Sequence, residues 1–70
     1  MRENLKKARK EASMTQQEVA DKLGIGLRHY KKMESGETLG SIELWDELED
    51  MLGINQRVLR ENHLGKEDNQ

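Results

Sequence analysis

The stretch TQQEVADKLGIGLRHYKKMESG, residues 15–36, decides the fold of this chain, because it contains the start and stop signals of two short helices. Thr15 is followed three residues later by Glu18, which is the spacing of a reciprocal capping box. The first of the two helices is therefore predicted to begin near Gln16. Gly24 supplies the left-handed residue that commonly ends a helix, so this helix is about two turns long.

A second helix is predicted after Gly26, and it ends by Gly36. Apolar side chains of the two helices and their turn are spaced to meet in a wedge, which would hold the helices as a fixed corner. The wedge residues are Val19, Leu23, Ile25, Tyr30 and Met33, and the small side chain of Ala20 lets the second helix cross closely. The other side of the second helix carries the cations Arg28, Lys31 and Lys32, which can reach phosphate oxygens or the acceptor edge of guanine in a major groove. The corner therefore predicts a DNA-binding surface.

A helix is also predicted before the corner, over residues 2–12, with Leu5, Ala8 and Ala12 on its core face. After the corner, Ser41 is predicted to cap a fourth helix, which ends at Gly53. The predicted core face of this fourth helix consists of Ile42, Trp45, Leu48 and Leu52, with Leu44 and Met51 on its flanks. The single Trp is interpreted as core filler rather than as a platform for a ligand.

Asn55 is predicted to cap a short fifth helix that carries Val58 and Leu59. Residues 63–70, HLGKEDNQ, are polar and aperiodic, so we expect a disordered tail after a single domain of residues 1–62. Seventy residues bury only about 60% of their unfolded surface, which leaves room for one compact core. The predicted fold class is all-α, with five helices.

Ten residues of the corner resemble, in order and spacing, the helix-turn-helix of the Cro/repressor-like (lambda-repressor-like) family of bacterial and phage transcription regulators. They are Gln16, Val19, Ala20, Leu23, Gly24, Ile25, Tyr30, Met33, Glu34 and Gly36. The resemblance extends from about Leu5 to Leu59. Three residues depart from the family pattern: Gly26 replaces a Ser or Thr cap, Tyr30 replaces Ile or Val, and Gly40 replaces a frequent Pro. A Gly cap weakens the helix start by only a few tenths of a kcal/mol.

The resemblance implies roles for the second helix of the corner. By family position Leu27, Arg28 and Lys32 reach base edges, and Arg28 is the best candidate for a bidentate guanine contact. Leu27 either contacts a thymine methyl group or is buried against the preceding helix. His29 and Lys31 are expected to contact phosphate or sugar, and no nearby group would make His29 a catalytic base.

The resemblance also implies contacts at both ends of this surface. The residue matching Gln16 contacts phosphate and braces the recognition helix in the family, although Gln16 is also simply a good exposed helix former. The amides of Gln16 and Gln17 are expected to point outward. The segment SGETLG, residues 35–40, would run along the DNA backbone and offer N–H groups and the hydroxyls of Ser35 and Thr38 to phosphate. Glu37 in this segment would either point away or weaken non-specific binding.

Arg9 has two interpretations of equal weight. An arginine near this position often packs or pairs inside the family's domain, and Glu34 would be its partner here. The alternative is a phosphate contact.

Charge is unevenly distributed along the chain. The net charge of −2 alone argues against a nucleic-acid ligand, but residues 1–33 carry nine Lys or Arg and four acids, whereas residues 34–70 carry three and ten. Such an asymmetry can orient the approach to a polyanion. The alternative is that the charges only keep a small domain soluble.

The composition excludes several classes of site. The chain has no Cys and only two His, so neither a metal nor another cofactor is expected. No apolar run is long enough to span a bilayer and no signal-peptide pattern is present, so we expect a cytoplasmic protein. An enzyme is the least favoured class, because no paired acid and base or phosphate-cradling glycine loop is apparent.

Two functions remain from the sequence. The first is a sequence-specific regulator that binds double-stranded DNA as a homodimer through the fifth helix and the end of the fourth. Its apolar interface candidates are Val58, Leu59, Leu64 and Leu44. The second is a protein-interaction module of the same fold, an antitoxin or anti-regulator, that uses the acidic face of the fourth helix.

Overall fold

The computed structural model of the protein describes residues 1–62, and this part of the chain contains five α-helices and no strand. The helices are α1 (Glu3–Glu11), α2 (Gln16–Leu23), α3 (Leu27–Ser35), α4 (Ile42–Leu52) and α5 (Gln56–Arg60). The all-α, five-helix prediction is confirmed. The predicted tail at residues 63–70, with Leu64, lies outside the described residues.

The start of α2 has the geometry predicted from its sequence. The Thr15 Oγ1 accepts a hydrogen bond from the Glu18 N–H at 3.1 Å, and the Glu18 Oε1 accepts one from the Thr15 N–H at 2.7 Å. Gly24 ends the helix with a φ of 73°, which is the left-handed conformation that glycine adopts most easily. The turn between α2 and α3 is therefore set by local chemistry.

All five helices contribute to one apolar core, in which α2 packs on α3 and α5 packs on both α1 and α4. The buried apolar residues are Leu5, Ala8, Val19, Ala20, Leu23, Tyr30, Met33, Trp45, Leu48 and Leu59. Trp45 is only 1% exposed, which confirms its interpretation as core filler. Ile25 is half-buried against this core, as is Met14 just before the α2 cap.

Three predicted core or surface positions were wrong. Ala12 is exposed, because α1 ends at Glu11 and the core face does not continue beyond it. Ile42 is 58% exposed, because it is the first residue of α4 and is not covered by the rest of the domain. Helical spacing assigns a residue to a face, but it does not show whether another element covers that residue. Leu59 was predicted at a dimer surface but is fully buried inside the monomer.

None of the helices between residues 1 and 62 has the length and apolar character needed to cross a bilayer.

Candidate nucleic-acid interface

Helix α3 is held by one face and exposed on the other. Tyr30 and Met33 are fully buried on the inner face. Arg28, Lys31 and Lys32 are all exposed on the outer face, and His29 lies beside them, also exposed. A rigid helix with an outward row of cations can enter a groove without displacing any core residue.

The outer face of α3 borders a shallow surface depression. Six side chains line it: Leu27, Arg28, Lys31, Lys32, Ser35 and Glu37. The structure thus brings five of the nine predicted DNA-binding residues together around one depression, while Gln16, Gln17, His29 and Thr38 lie outside its lining. Leu27 is half-buried, so its side chain is neither fully withdrawn into the core nor fully presented to a ligand.

The two glutamines at the start of α2 differ from each other. The Gln16 side chain is half-buried and its Nε2 donates to the Glu34 Oε1 at 3.1 Å, so the expectation of an outward amide was wrong for Gln16. The Gln17 side chain is exposed, and its Nε2 donates to the Asp21 Oδ1 one turn later at 2.9 Å. Gln16 therefore links the start of α2 to α3.

Glu34 is the centre of a buried polar network beneath α3. The Arg9 Nε and Nη2 donate to its two carboxylate oxygens at 2.8 and 3.2 Å, and the Tyr30 hydroxyl donates at 2.6 Å. Of the two interpretations of Arg9, the structure thus confirms the pairing with Glu34 inside the domain. The same network explains why Tyr30 replaces the Ile or Val of the family pattern. Its hydroxyl donates a hydrogen bond to the Glu34 carboxylate, which an aliphatic side chain cannot do.

The pKa values in this network follow from these contacts. Burial raises the pKa of the Glu34 carboxyl, but the hydrogen bonds from Arg9, Tyr30 and Gln16 outweigh it and hold the pKa below its ordinary value. The hydrogen bond to Glu34 raises the pKa of Arg9 against the opposing effect of burial. Burial, followed by the hydrogen bond to Glu34, raises the pKa of the Tyr30 phenol. The network therefore keeps one buried ion pair and a neutral phenol at neutral pH.

Comparison with known proteins agrees with this geometry. A sequence model of a family described as Helix-turn-helix matches residues 5–55, most of the chain. The chain belongs to the helix-turn-helix family. The resemblance to Cro/repressor-like regulators is thereby confirmed, and the family places this domain among DNA-binding regulators rather than enzymes.

The helix-turn-helix chain is also similar to a phage protein. It is 42% identical over 55 residues to the cryptic phage CTXphi transcriptional repressor RstR of Vibrio cholerae serotype O1 (strain ATCC 39315 / El Tor Inaba N16961). The matched region covers 79% of this chain and 49% of that relative. The match thus spans about half the length of the curated relative. No solved structure matches the chain significantly.

The segment after the helix-turn-helix uses its backbone differently from the sequence prediction. The Lys32 carbonyl accepts hydrogen bonds from the N–H groups of Gly36, Glu37 and Thr38 at 3.2, 2.9 and 3.3 Å. These three N–H groups close the end of α3 and are not free for phosphate, so the prediction was wrong for Gly36, Glu37 and Thr38. The Ser35 hydroxyl donates to the same carbonyl at 3.1 Å.

Sequence reasoning missed Arg2, which it grouped with the basic half of the chain. Arg2 is 4% exposed, and its guanidinium lies 5.3 Å from the centre of the Trp45 ring. Burial lowers the pKa of Arg2, and the nearby Arg60 lowers it further. No sequence signal distinguishes this arginine from its exposed neighbours, because its contacts lie on distant elements.

The helix-turn-helix domain therefore presents fewer positive charges at its surface than the nine Lys and Arg of residues 1–33 would suggest, because both Arg2 and Arg9 are buried. Seven cations of residues 1–33 remain exposed or half-buried: Lys6, Lys7, Lys10, Lys22, Arg28, Lys31 and Lys32. Three of these are on the outer face of α3. Within residues 1–62, no three His, Cys, Asp or Glu side chains are grouped so that they could hold a metal ion.

Proposed function

We propose that this chain is the DNA-binding domain of a sequence-specific transcriptional regulator that places α3 in the major groove of double-stranded DNA. One observation carries the proposal: Arg28, Lys31 and Lys32 are exposed on a helix whose opposite face, Tyr30 and Met33, is fully buried. Such a helix presents charge in a fixed register, which base reading requires.

The candidate side chains divide into two roles. Arg28 donates two hydrogen bonds to guanine, Leu27 contacts a thymine methyl group, and Lys32 reaches a base edge further along the groove. The remaining candidate residues contact phosphate or sugar, which positions the helix without reading sequence. They are Gln16, Gln17, His29, Lys31, Ser35 and Thr38.

The regulator acts as a homodimer. Helix α3 has nine residues, so it is about 13 Å long and covers only about four base pairs. A two-fold dimer doubles this footprint by reading half-sites one helical turn, about 34 Å, apart. Val58 on α5 is 41% exposed, which supports an interface at this helix. The relative is named a transcriptional repressor, which favours repression as the mode of action.

The test of DNA recognition is selection of bound duplexes from a random pool with the purified protein. We expect a short consensus with two-fold symmetry, and an affinity that falls with salt by a logarithmic slope of about −0.9 for each phosphate neutralised. Recovery of unrelated sequences, or an affinity that salt does not change, would contradict the proposal.

The test of the dimer is Val58→Asp, measured by sedimentation equilibrium. A buried aspartate at a two-fold interface is repelled by its own symmetry copy, so we expect a monomer that no longer binds the symmetric site tightly. Ile42→Asp is the control, because Ile42 is also an exposed apolar residue, 58% exposed, but it lies at the start of α4 and not on α5. An unchanged association constant for Val58→Asp would place the interface elsewhere.

A protein partner is the alternative function, and one surface favours it. Glu43, Asp46, Glu47 and Asp50 are exposed along α4. A basic partner would bind this face independently of the α3 cations. Arg28→Ala would leave such binding unchanged, whereas it would weaken binding to the selected duplex, so one variant separates the two functions.

A further inference from the structure

The Arg2 guanidinium lies among backbone carbonyls from three parts of the fold. Its Nη1 donates to the Met33 carbonyl in α3 at 2.6 Å and to the Thr38 carbonyl in the following loop at 2.7 Å. Its Nε donates to the Arg60 carbonyl at the end of α5 at 3.1 Å. With 4% of its surface exposed, this side chain is closed to a phosphate group.

The loop between α3 and α4, residues 36–40, has most of its carbonyl groups occupied by side chains of the same domain. Arg2 binds the Thr38 carbonyl, and the Trp45 Nε1 donates to the Leu39 carbonyl at 2.6 Å. The Asn62 Nδ2 donates to the Gly36 carbonyl at 3.1 Å. Since Arg2 also lies over the Trp45 ring, these two side chains act as one support for the loop.

The donors on the C-terminal side of this loop remain available. The N–H groups of Leu39, Gly40 and Ser41 have no acceptor within residues 1–62. Occupied carbonyls and free N–H groups give this part of the backbone a net donor character. A backbone of that kind suits an anionic neighbour, because exposed carbonyl oxygens would repel phosphate.

We propose that Arg2 is a positioning residue for DNA binding: it holds the α3–α4 loop in its phosphate-binding conformation without touching DNA. The inference rests on the proposed function, since it concerns the same interface. A count of positive charges would suggest that Arg2 attracts DNA directly. We infer instead that this buried arginine supports DNA binding through the structure of the loop. Arg2 acts through the Thr38 carbonyl and through Trp45.

The test compares two variants that each remove a contact of the α1 region. Arg2→Met removes the three carbonyl hydrogen bonds and keeps an apolar side chain against Trp45. Asn4→Ala is the matched control, because the Asn4 Nδ2 donates to the Val58 carbonyl at 3.3 Å and to Glu61 at 2.8 Å, away from the loop. Both are studied in the full chain at a temperature where circular dichroism shows that they are folded.

Three measurements are made on each variant: amide hydrogen exchange without DNA, affinity for the selected duplex, and the dependence of that affinity on salt. We expect Arg2→Met to accelerate exchange at residues 36–38 and to weaken binding about tenfold, as the loss of one or two phosphate hydrogen bonds would. Asn4→Ala should change neither. The salt slope of Arg2→Met should equal that of the wild type, because no cation leaves the DNA surface.

Three outcomes would overturn the inference. Equal affinities for Arg2→Met and Asn4→Ala would make Arg2 merely structural. A salt slope reduced by about 0.9 would mean that Arg2 itself neutralises a phosphate. Unchanged exchange in the loop would remove the proposed support. If the wild type binds no duplex, the proposed function fails together with this inference. The exchange measurement needs no DNA, so it tests the contact between Arg2 and the loop separately.

Arg2→Lys covers the case in which Arg2→Met does not fold. Lysine keeps the charge but cannot bind the three carbonyls at once, since it lacks the forked geometry of the guanidinium. We expect faster loop exchange and weaker DNA binding with an unchanged salt slope. Wild-type affinity in Arg2→Lys would show that charge alone suffices and would overturn the inference.

Discussion

Arg9 on α1 and Glu34 on α3 form a buried ion pair, in which the Arg9 Nε lies 2.8 Å from the Glu34 Oε2. The pair joins α1 to the last turn of α3, and the Tyr30 hydroxyl and Gln16 amide bind the same carboxylate. The orientation of α3 is thus determined by polar contacts to α1 and α2 as well as by apolar packing.

Glu34→Gln should lower the free energy of unfolding by about 3 kcal/mol, because it leaves the Arg9 charge buried without its counter-ion. Urea unfolding at pH 7 measures the loss. Glu11→Gln is the control, since Glu11 is exposed on α1 and its replacement should change stability by less than about 0.5 kcal/mol. Equal losses in the two variants would show that the ion pair contributes little.

The contribution of Glu34 should depend on pH in the acid range. Its folded pKa is held below the ordinary value, so its stabilising effect is fully present above the unfolded pKa of about 4.3 and is lost as the pH falls through the lower folded pKa. Unfolding of the wild type and Glu34→Gln between pH 7 and pH 3 should therefore show a difference that shrinks on acidification. A constant difference would contradict the lowered pKa.

The two glycines of the α2–α3 turn should respond to serine with opposite sign. A Cβ atom at either position would meet no atom within 4 Å, but Gly24 has a φ of 73° whereas Gly26 has an extended backbone with a φ of −72°. Gly26→Ser should add a helix cap and stabilise by a few tenths of a kcal/mol. Gly24→Ser should destabilise by about 1 to 2 kcal/mol, because a left-handed conformation strains any side chain. Urea midpoints measure both, and the same sign for both would contradict this account.

Arg28→Ala should reduce discrimination between the selected duplex and random DNA by about 1 to 3 kcal/mol, since it removes the proposed bidentate guanine contact. The side chain is exposed, so thermal stability should be unchanged. Lys31→Ala is the matched control on the same helix. It should weaken binding to all duplexes alike and reduce the salt slope by about one. Equal losses on both duplexes for Arg28→Ala would remove its base-reading role.

Glu37→Gln should strengthen binding to every duplex. Glu37 is an exposed acid beside Lys31 and Lys32 in the lining of the same depression, so it opposes the approach of phosphate. Removing one exposed charge interaction is worth about 0.2 to 1 kcal/mol, which is up to about fivefold in affinity. Fluorescence anisotropy with random DNA measures the gain, and Glu11→Gln serves again as the control. Weaker binding would indicate that Glu37 itself contacts a base.

The predicted elements succeeded where short-range chemistry decides. Helices end at Gly24, Gly36 and Gly53 as predicted, and all three glycines have the left-handed conformation. The caps Thr15, Ser41 and Asn55 each accept a backbone N–H as expected. The exposed face of α3 was predicted as well. Once the buried residues of a nine-residue helix are known, helical geometry places the other residues on the opposite side.

The sequence by itself therefore determined the five helices, the glycine corner and the residues on the outer face of α3, since caps and turns depend on atoms within about four residues of one another. Only the tertiary structure decided which charges are buried. The carbonyl partners of Arg2 are 31, 36 and 58 residues away along the chain. Leu59 is in the core for the same reason, because burial depends on which distant element covers a residue and no local pattern contains that information.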